Sequence, residues 1–410
     1  MSGAPRNFLV LVFGYSCSAY GNYLNLVALS LYTLVVTGGP LGVGIVMALR
    51  LGAGFGTGLL AGRLVNRFDR RRLMITTDLA QALAMVALAA GPRDTGLLVG
   101  VAVVLGAGNT LFTVALRSSV PEMVGQDHRV RANGLLVTGR SLGTVLGFAS
   151  AGVIVAAGGF AAAFLANAAS FLVSGATLVL LRLPTRAHPP APDPPDAATP
   201  AQTPRARTGR SLLALVGPVV VTMIAVRGGD AFGSASHNMA IPLYANQLDP
   251  ANPAVVMSQF WASWAVGTLL AHQVIRRWAR ERALGERAFA LGTCLMAVSF
   301  VLAFAVPAGP ALVAVALVAG LADGWTEIVY TSRLQALPDE QRGRLFGLSA
   351  TAETAGFATG MVTSAALLES LPALTVVAAF HGVAVLGAVA LLAAALVRRH
   401  DRDRTTEPTP

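Results

Sequence analysis

Long apolar blocks dominate this chain: "FLVLVFGYSCSAYGNYLNLVALSLYTLVV" runs over 8–36 and "FAAAFLANAASFLVSGATLVLL" over 160–181. About twenty apolar residues wound as a helix cross the hydrocarbon of a bilayer. Inside lipid only helices and closed barrels satisfy their backbone, and blocks this continuous predict helices rather than alternating barrel strands. Counted between Pro, Gly and charge, the blocks fall at 8–36, 41–61, 73–91, 96–117, 131–157, 160–182, 211–246, 254–275, 288–306, 309–333, 343–367 and 372–397. The expected fold class is therefore an all-α membrane protein with twelve transmembrane helices. The first block is too long, and too rich in Tyr and Asn, for a cleaved signal peptide.

Charge sets the orientation. The chain has thirty basic residues, all arginine, and a net charge of +10. Five of them crowd into "GRLVNRFDRRR" (62–72). With the N-terminus placed in the cytoplasm, twenty-six arginines fall in cytoplasmic segments, Arg93 falls outside, and Arg50, Arg140 and Arg227 lie within spans. This is the positive-inside bias, and it places both termini in the cytoplasm. The basic balance thus reads as topology, not as nucleic-acid binding. Arginine without lysine, together with abundant Ala, suggests a bacterial chain and hence the cytoplasmic (inner) membrane.

Several chemistries are excluded. Without lysine there is no GxxxxGK phosphate loop and no Schiff base. "GAGFGTG" (52–58) lies inside a span and reads as helix packing. Cys17 and Cys294 sit alone in separate spans as packing residues. Histidines at 128, 188, 237, 272, 381 and 400 show no metal-ligand spacing, and no nucleophile is paired with a base. No cofactor, no metal and no enzyme activity are expected, and no soluble sensing domain marks a receptor.

A Pro-rich stretch, "PTRAHPPAPDPPDAATPAQTPRARTGR" (184–210), divides six blocks from six. It reads as an extended cytoplasmic linker between an N-terminal bundle (1–183) and a C-terminal bundle (211–398), with a solvated tail at 399–410. The halves repeat. "RANGLLVTGRSLGTVLG" (131–147) lies over "RLFGLSATAETAGFATG" (344–360) at an offset of 213, and "NLVALSLY" (25–32) over "HNMAIPLY" (237–244) at 212. Two parallel six-helix halves are the layout of a transporter that rocks about a site between them.

Residues 62–74 resemble the loop between helices 2 and 3 of the major facilitator superfamily, with its pattern GxxxDRxGRRxxL. Gly62, Arg67, Arg70 and Arg71 match, while Asn66 replaces the Asp, Asp69 the second Gly and Met74 the Leu. The resemblance implies a loop that holds the cytoplasmic gate shut by engaging the start of helix 11, its arginines pairing with acids. Asn66 adds no charge attraction there, and Asp78, near the same end of helix 3, is expected to steady the loop. Gly139, Gly143, Gly147 and Gly152 in helix 5 resemble the antiporter motif GxxxGPxxGG, with Phe148 in place of the Pro. Small residues at this spacing also serve ordinary close helix packing. Together these features are most similar to the macrolide-exporter and enterobactin-exporter branch.

Charged groups at membrane depth are costly and default to functional hypotheses. Asp230, Asp323, Glu327 and Glu353 are the candidate proton-coupling carboxylates. Asp323 and Glu327 are one turn apart on one helix face. Arg50 and Arg140 are candidate members of intramembrane ion pairs, Arg50 being the expected partner of Glu353. In helix 1, Tyr15, Ser18, Asn22 and Asn25 form a polar stripe at 3-4-3 spacing. In helix 7, Arg227, Asp230, Ser234 and His237 repeat it at an offset of 212. The two stripes are expected to face one substrate cavity from opposite halves, with Asn238 and Trp325 beside them. Trp261 and Trp264 read either as ligand contacts or as interfacial anchors. A fixed Arg227–Asp230 pair that only packs is the alternative for helix 7.

The expected function is secondary active export of a small amphipathic organic compound (a drug, natural product or siderophore) by proton antiport. The lipid bilayer, the solute and protons are its partners, and the chain acts as a monomer. The alternative is an importer or facilitator of the same fold.

Overall fold

A computed structural model describes residues 6–125, 129–181, 218–278, 285–336 and 339–405. All regular structure in them is helical: α1 (Arg6–Thr37), α2 (Pro40–Arg67), α3 (Arg70–Ala90) and α4 (Thr95–Val124) come first. A helical run, Arg129–Leu180, follows and is broken at Gly159, where φ is 68° and ψ is −173°. Only glycine occupies that backbone region at little cost, so the run divides into α5 (129–158) and α6 (160–180). The second half contains α7 (Pro218–Leu248), α8 (Pro253–Trp278), α9 (Glu286–Ala303), α10 (Pro310–Gln335), α11 (Asp339–Leu367) and α12 (Ala373–Thr405). The expected linker, 184–210, lies outside the described residues. α12 carries helix to Thr405, through the first part of the expected tail.

The contacts of α1 show that the chain reverses at Gly159. Gly14 abuts Thr177 and Gly21 abuts Ser170, so α6 runs antiparallel to α1; Gly139, Gly143 and Gly147 follow α1 upward past Ser16, Tyr20 and Leu24, so α5 runs parallel. Nine described helical segments are long and apolar enough to cross a membrane, α5 and α6 counting together as one; α7 and α11 fall outside that set. Burying helices that polar is supported only by partners in neighbouring helices.

The two halves share a core at one end and part at the other. One apolar cluster joins Leu24, Val46 and Phe148 of the first half to Met239, Trp261 and Met361 of the second. It lies towards the end where α1 turns into α2 and α7 into α8. At the opposite end the apolar residues separate into a cluster within the first half, around Phe8, Met74 and Leu178, and another within the second, around Met223, Phe289 and Leu391. The glycines trace the same opening. Gly44 of α2 packs on Ala365 and Met361 of α11, whereas Gly52, Gly56, Gly62 and Gly347 have nothing within 4 Å of where a Cβ would stand. Two groups seal the closed end. The Gly152 N–H donates to Ser258 Oγ at 2.6 Å, and Glu369 accepts from the Leu41 N–H at 2.9 Å, a carboxylate from one half capping the start of a helix in the other.

Candidate functional site

A cavity of about 630 Å³ lies between the halves. Its walls are chiefly apolar: Met47, Leu51 and Phe55 from α2, Met239 and Ile241 from α7, Met257 and Trp261 from α8, and Phe357 and Met361 from α11. Polar edges come from Ser30, Asn109, Thr110, Asn238 and Thr354, and one charged side chain, Arg50, enters it. Trp261 lines the cavity and stacks across the halves on Phe148 at 5.6 Å. Trp261 is therefore a cavity residue rather than an interfacial anchor.

The two polar stripes do not face this space together. Tyr15, Ser18 and Asn22 line a second pocket of about 380 Å³ inside the first half, with Gln81, Arg140 and Phe171; it joins the large cavity through Leu26, Arg50, Asn109 and Thr110. Asn25 is fully buried, its amide atoms without hydrogen-bond partners. The α7 stripe turns instead into the second half. His237 is buried, its Nδ1 3.1 Å from Nε2 of His381 and its ring stacked on Phe300, and so it does not line the cavity. Ser234 is bound through its carbonyl by the Asn238 amide at 2.8 Å. Of the expected α7 residues, Asn238 reaches the cavity. A 3-4-3 spacing fixes a common face, not the element which that face meets.

What the α7 stripe does meet is a cluster of acids. Arg227 Nη1 donates to Asp230 at 3.2 Å, Nη2 donates to Glu327, and Nε lies 3.8 Å from Glu353. Asp323 completes the field around the same guanidinium and accepts from Trp264 Nε1 at 3.1 Å. Trp264 is thus a hydrogen-bond partner of the cluster. Tyr330 donates to Ser349 at 2.6 Å, and Ser349 to Glu353 at 2.7 Å. Asp230 is buried with Oδ1 unpartnered, while Glu327 is 52% exposed. All four candidate carboxylates therefore converge on Arg227. Glu353 pairs with Arg227 and not with Arg50, because α7 lies between α11 and α12 while α2 touches α11 at the closed end.

The first half holds the opposite imbalance. Arg140, at the position repeated as Glu353, donates to the Tyr23 hydroxyl at 3.0 and 3.2 Å rather than to an acid. Arg50 lies in no ion pair among the described residues, and its Nη1 is buried without a partner. Neither is the ion-pair member expected from the sequence. Asp78 is 1% exposed and packs beside Ser174 and Gly175 of α6, not against the arginine loop.

The loop itself is a brace within the first half. Asp69 caps α3 by accepting from the Arg72 N–H at 2.8 Å. Arg70 donates to the Ser118 carbonyl of α4 at 2.9 Å, and Arg71 to the carbonyls of Leu178 and Val179 of α6 at 2.7 and 2.6 Å. The Leu178 and Val179 carbonyls lie in the last turn of α6, where cations are favoured. Arg71 thus binds backbone where an acid was expected. Gly62, Asn66 and Arg67 are exposed, and the side chains at the start of α11, which Asn66 was expected to engage, lie outside the described residues.

A sequence profile of the Major Facilitator Superfamily matches residues 11–335. The chain belongs to that superfamily. Among solved structures it is similar to a nucleoside transporter, NupG, at 16% identity and a TM-score of 0.67, over 95% of this chain and 99% of that one. It is similar to a bacterial homologue of the iron transporter ferroportin in the inward-facing state, at 16% identity and 0.66, over 94% and 98%. A peptide transporter, POT, in complex with sulfate matches at 18% identity and 0.70, over 95% and 94%. At such identities the likeness is one of fold. No curated protein matches by sequence. The chain is a multi-pass membrane transporter of the superfamily, not an enzyme.

Two features of this facilitator stand apart from their sequence readings. Gly139, Gly143 and Gly147 seat α5 on α1, but Gly152 faces the other half, where a Cβ would stand 2.7 Å from Val255 Cα. Trp325 turns away from the cavity to α9 and donates to the Ala288 carbonyl at 3.3 Å. The histidine pair escaped sequence reasoning because its members are 144 positions apart; the intramembrane placement of His381 was its one visible signal.

Proposed function

We propose that the protein exports a small amphipathic organic compound by proton antiport, through alternating access of the cavity between its halves. The observation that carries this reading is the convergence of Asp230, Asp323, Glu327 and Glu353 on Arg227. One guanidinium facing four carboxylates at membrane depth leaves negative charge that exchangeable protons can balance. Asp230 sits innermost, and Glu327 and Glu353 lie on the wetter side, an order suited to passing a proton inward from solvent. The bundles 1–183 and 211–398, joined by 184–210, are the two bodies that rock. The open end carries the arginine-rich connections, so the bias of basic residues makes it cytoplasmic and the conformation inward-open. Both termini then lie in the cytoplasm of a bacterial cell. The glycine run of α5, similar to the antiporter motif, supports export, and the chain acts as a monomer.

Reconstituted protein under an imposed pH gradient tests this with a panel of fluorescent amphipathic solutes. The wild type should accumulate at least one of them uphill. Asp230→Asn should still bind it but lose gradient-driven transport. Uphill transport by Asp230→Asn at the wild-type rate would move coupling to Glu353, Asp323 or Glu327.

A further inference from the structure

We infer that the cavity selects solutes bearing an anionic head on an apolar body, and that Arg50 binds the head. This rests on the transport reading above and names its substrate class. Arg50 is the charged residue among those lining the cavity, and no carboxylate lines it. Its Nη1 is buried and donates to nothing. An arginine stays charged at any physiological pH, so the cavity wall carries a cation with no acid among its lining residues. An entering carboxylate, sulfonate or phosphate supplies the missing negative charge and accepts from the guanidinium, whose planar fork suits such groups. A cationic solute meets repulsion with no acid in the wall to offset it.

The backbone around Arg50 is fixed. Gly106 of α4 lies against the Arg50 carbonyl, and Gly54, one turn on, would place a Cβ 2.9 Å from Thr110 Oγ1. The guanidinium thus projects from a tightly seated helix pair, between the large cavity and the smaller polar pocket, both of which it lines. Asn109 and Thr110 also border both spaces and offer further donors to an anion. The rest of the wall suits a flat or irregular apolar body. Met47, Met239, Met257 and Met361 adapt to varied shapes, and Trp261 and Phe357 provide aromatic faces.

Three probes with one fluorescent body separate the head-group chemistry: dansylglycine is an anion, dansylamide is neutral and dansylcholine is a cation. Binding is read by fluorescence enhancement on the full chain in phosphatidylcholine nanodiscs, with no gradient applied. The wild type should bind dansylglycine about ten-fold more tightly than dansylamide, the scale of a charge-assisted hydrogen bond, and dansylcholine most weakly. Arg50→Gln should bring dansylglycine down to the affinity of dansylamide while dansylamide itself is unchanged, which shows an intact cavity. Arg50→Lys should restore part of the preference. Adding phosphatidylglycerol distinguishes the source of the anion. Competition that disappears in Arg50→Gln identifies a lipid head as an occupant, and undiminished binding identifies a free solute. Equal binding of cation and anion, a preference that survives Arg50→Gln, or no binding of any probe would overturn the inference. Because these measurements need no gradient, anion selectivity without uphill transport would leave this inference standing and sink the antiport reading instead.

Discussion

The two halves place the same helices together and fill them with opposite charge. In the first, α5 packs on α1 through Gly143 and Gly147; in the second, α11 packs on α7 through Gly356 and Gly360, at the offset of 213. Within these matching seams Tyr15 and Arg140 share one pocket, while their counterparts Arg227 and Glu353 lie 3.8 Å apart as an ion pair. At this seam the first half therefore sets Arg140 beside tyrosines, and the second sets Arg227 among acids. One duplicated scaffold thus carries two different charge patterns in its copies.

The largest test of this asymmetry is to remove each cation. Arg227→Met strands Asp230 and Glu353, and should cost about 3 kcal/mol, the lower end for breaking a buried charge network because Glu327 is half-exposed. Arg140→Met frees only neutral tyrosine hydroxyls, those of Tyr23 and Tyr15, and should cost about 1 kcal/mol. Thermal unfolding in detergent compares them, and equal losses would mean that the halves differ in charge but not in energetics. Next come the glycine seams. A Cβ at Gly143 would lie 2.8 Å from the Ser16 carbonyl, and one at Gly356 would lie closer still to that of Gly228. Gly356→Ala should therefore be the more disruptive, within the range of about 1–3 kcal/mol typical of overpacking; the reverse order of melting points would show α11 to be the looser seam.

Smaller effects probe the ends where the halves meet. Glu369→Ala removes the cap on α2 and should weaken the closed end by about 0.5–1 kcal/mol, raising reagent access to single cysteines placed near Ser30. No rise would leave the Gly152–Ser258 contact as the principal seal. Asn66→Asp should add about 0.3–1 kcal/mol of attraction for a helix start and favour closure of the open end. Spin-label distances between α2 and α11 would shorten; unchanged distances would confine the loop to bracing α4 and α6.

Much of this architecture was legible in the residues. Among the described segments every span but α7 and α11 is apolar enough to be recognised alone, and the offset near 213 pairs Gly143 with Gly356. Helix rotation was not legible. Tyr15 to Asn25 and Arg227 to His237 each mark one face, but which neighbour that face meets depends on how six helices pack in a bundle. For that reason Arg227 collects the acid expected of Arg50, and His237 finds His381 instead of the cavity. The polarity of α7 and α11 was itself the better guide, since helices that poor in apolar residues need polar partners at depth.

The single-residue turn at Gly159 has a consequence for how the protein is made. With no loop between them, α5 and α6 cannot enter the bilayer one after the other with a translocated segment paid out between. They must insert together as a preformed hairpin, and a larger side chain at Gly159 would register first as failed biogenesis, before any defect in a mature protein could be measured.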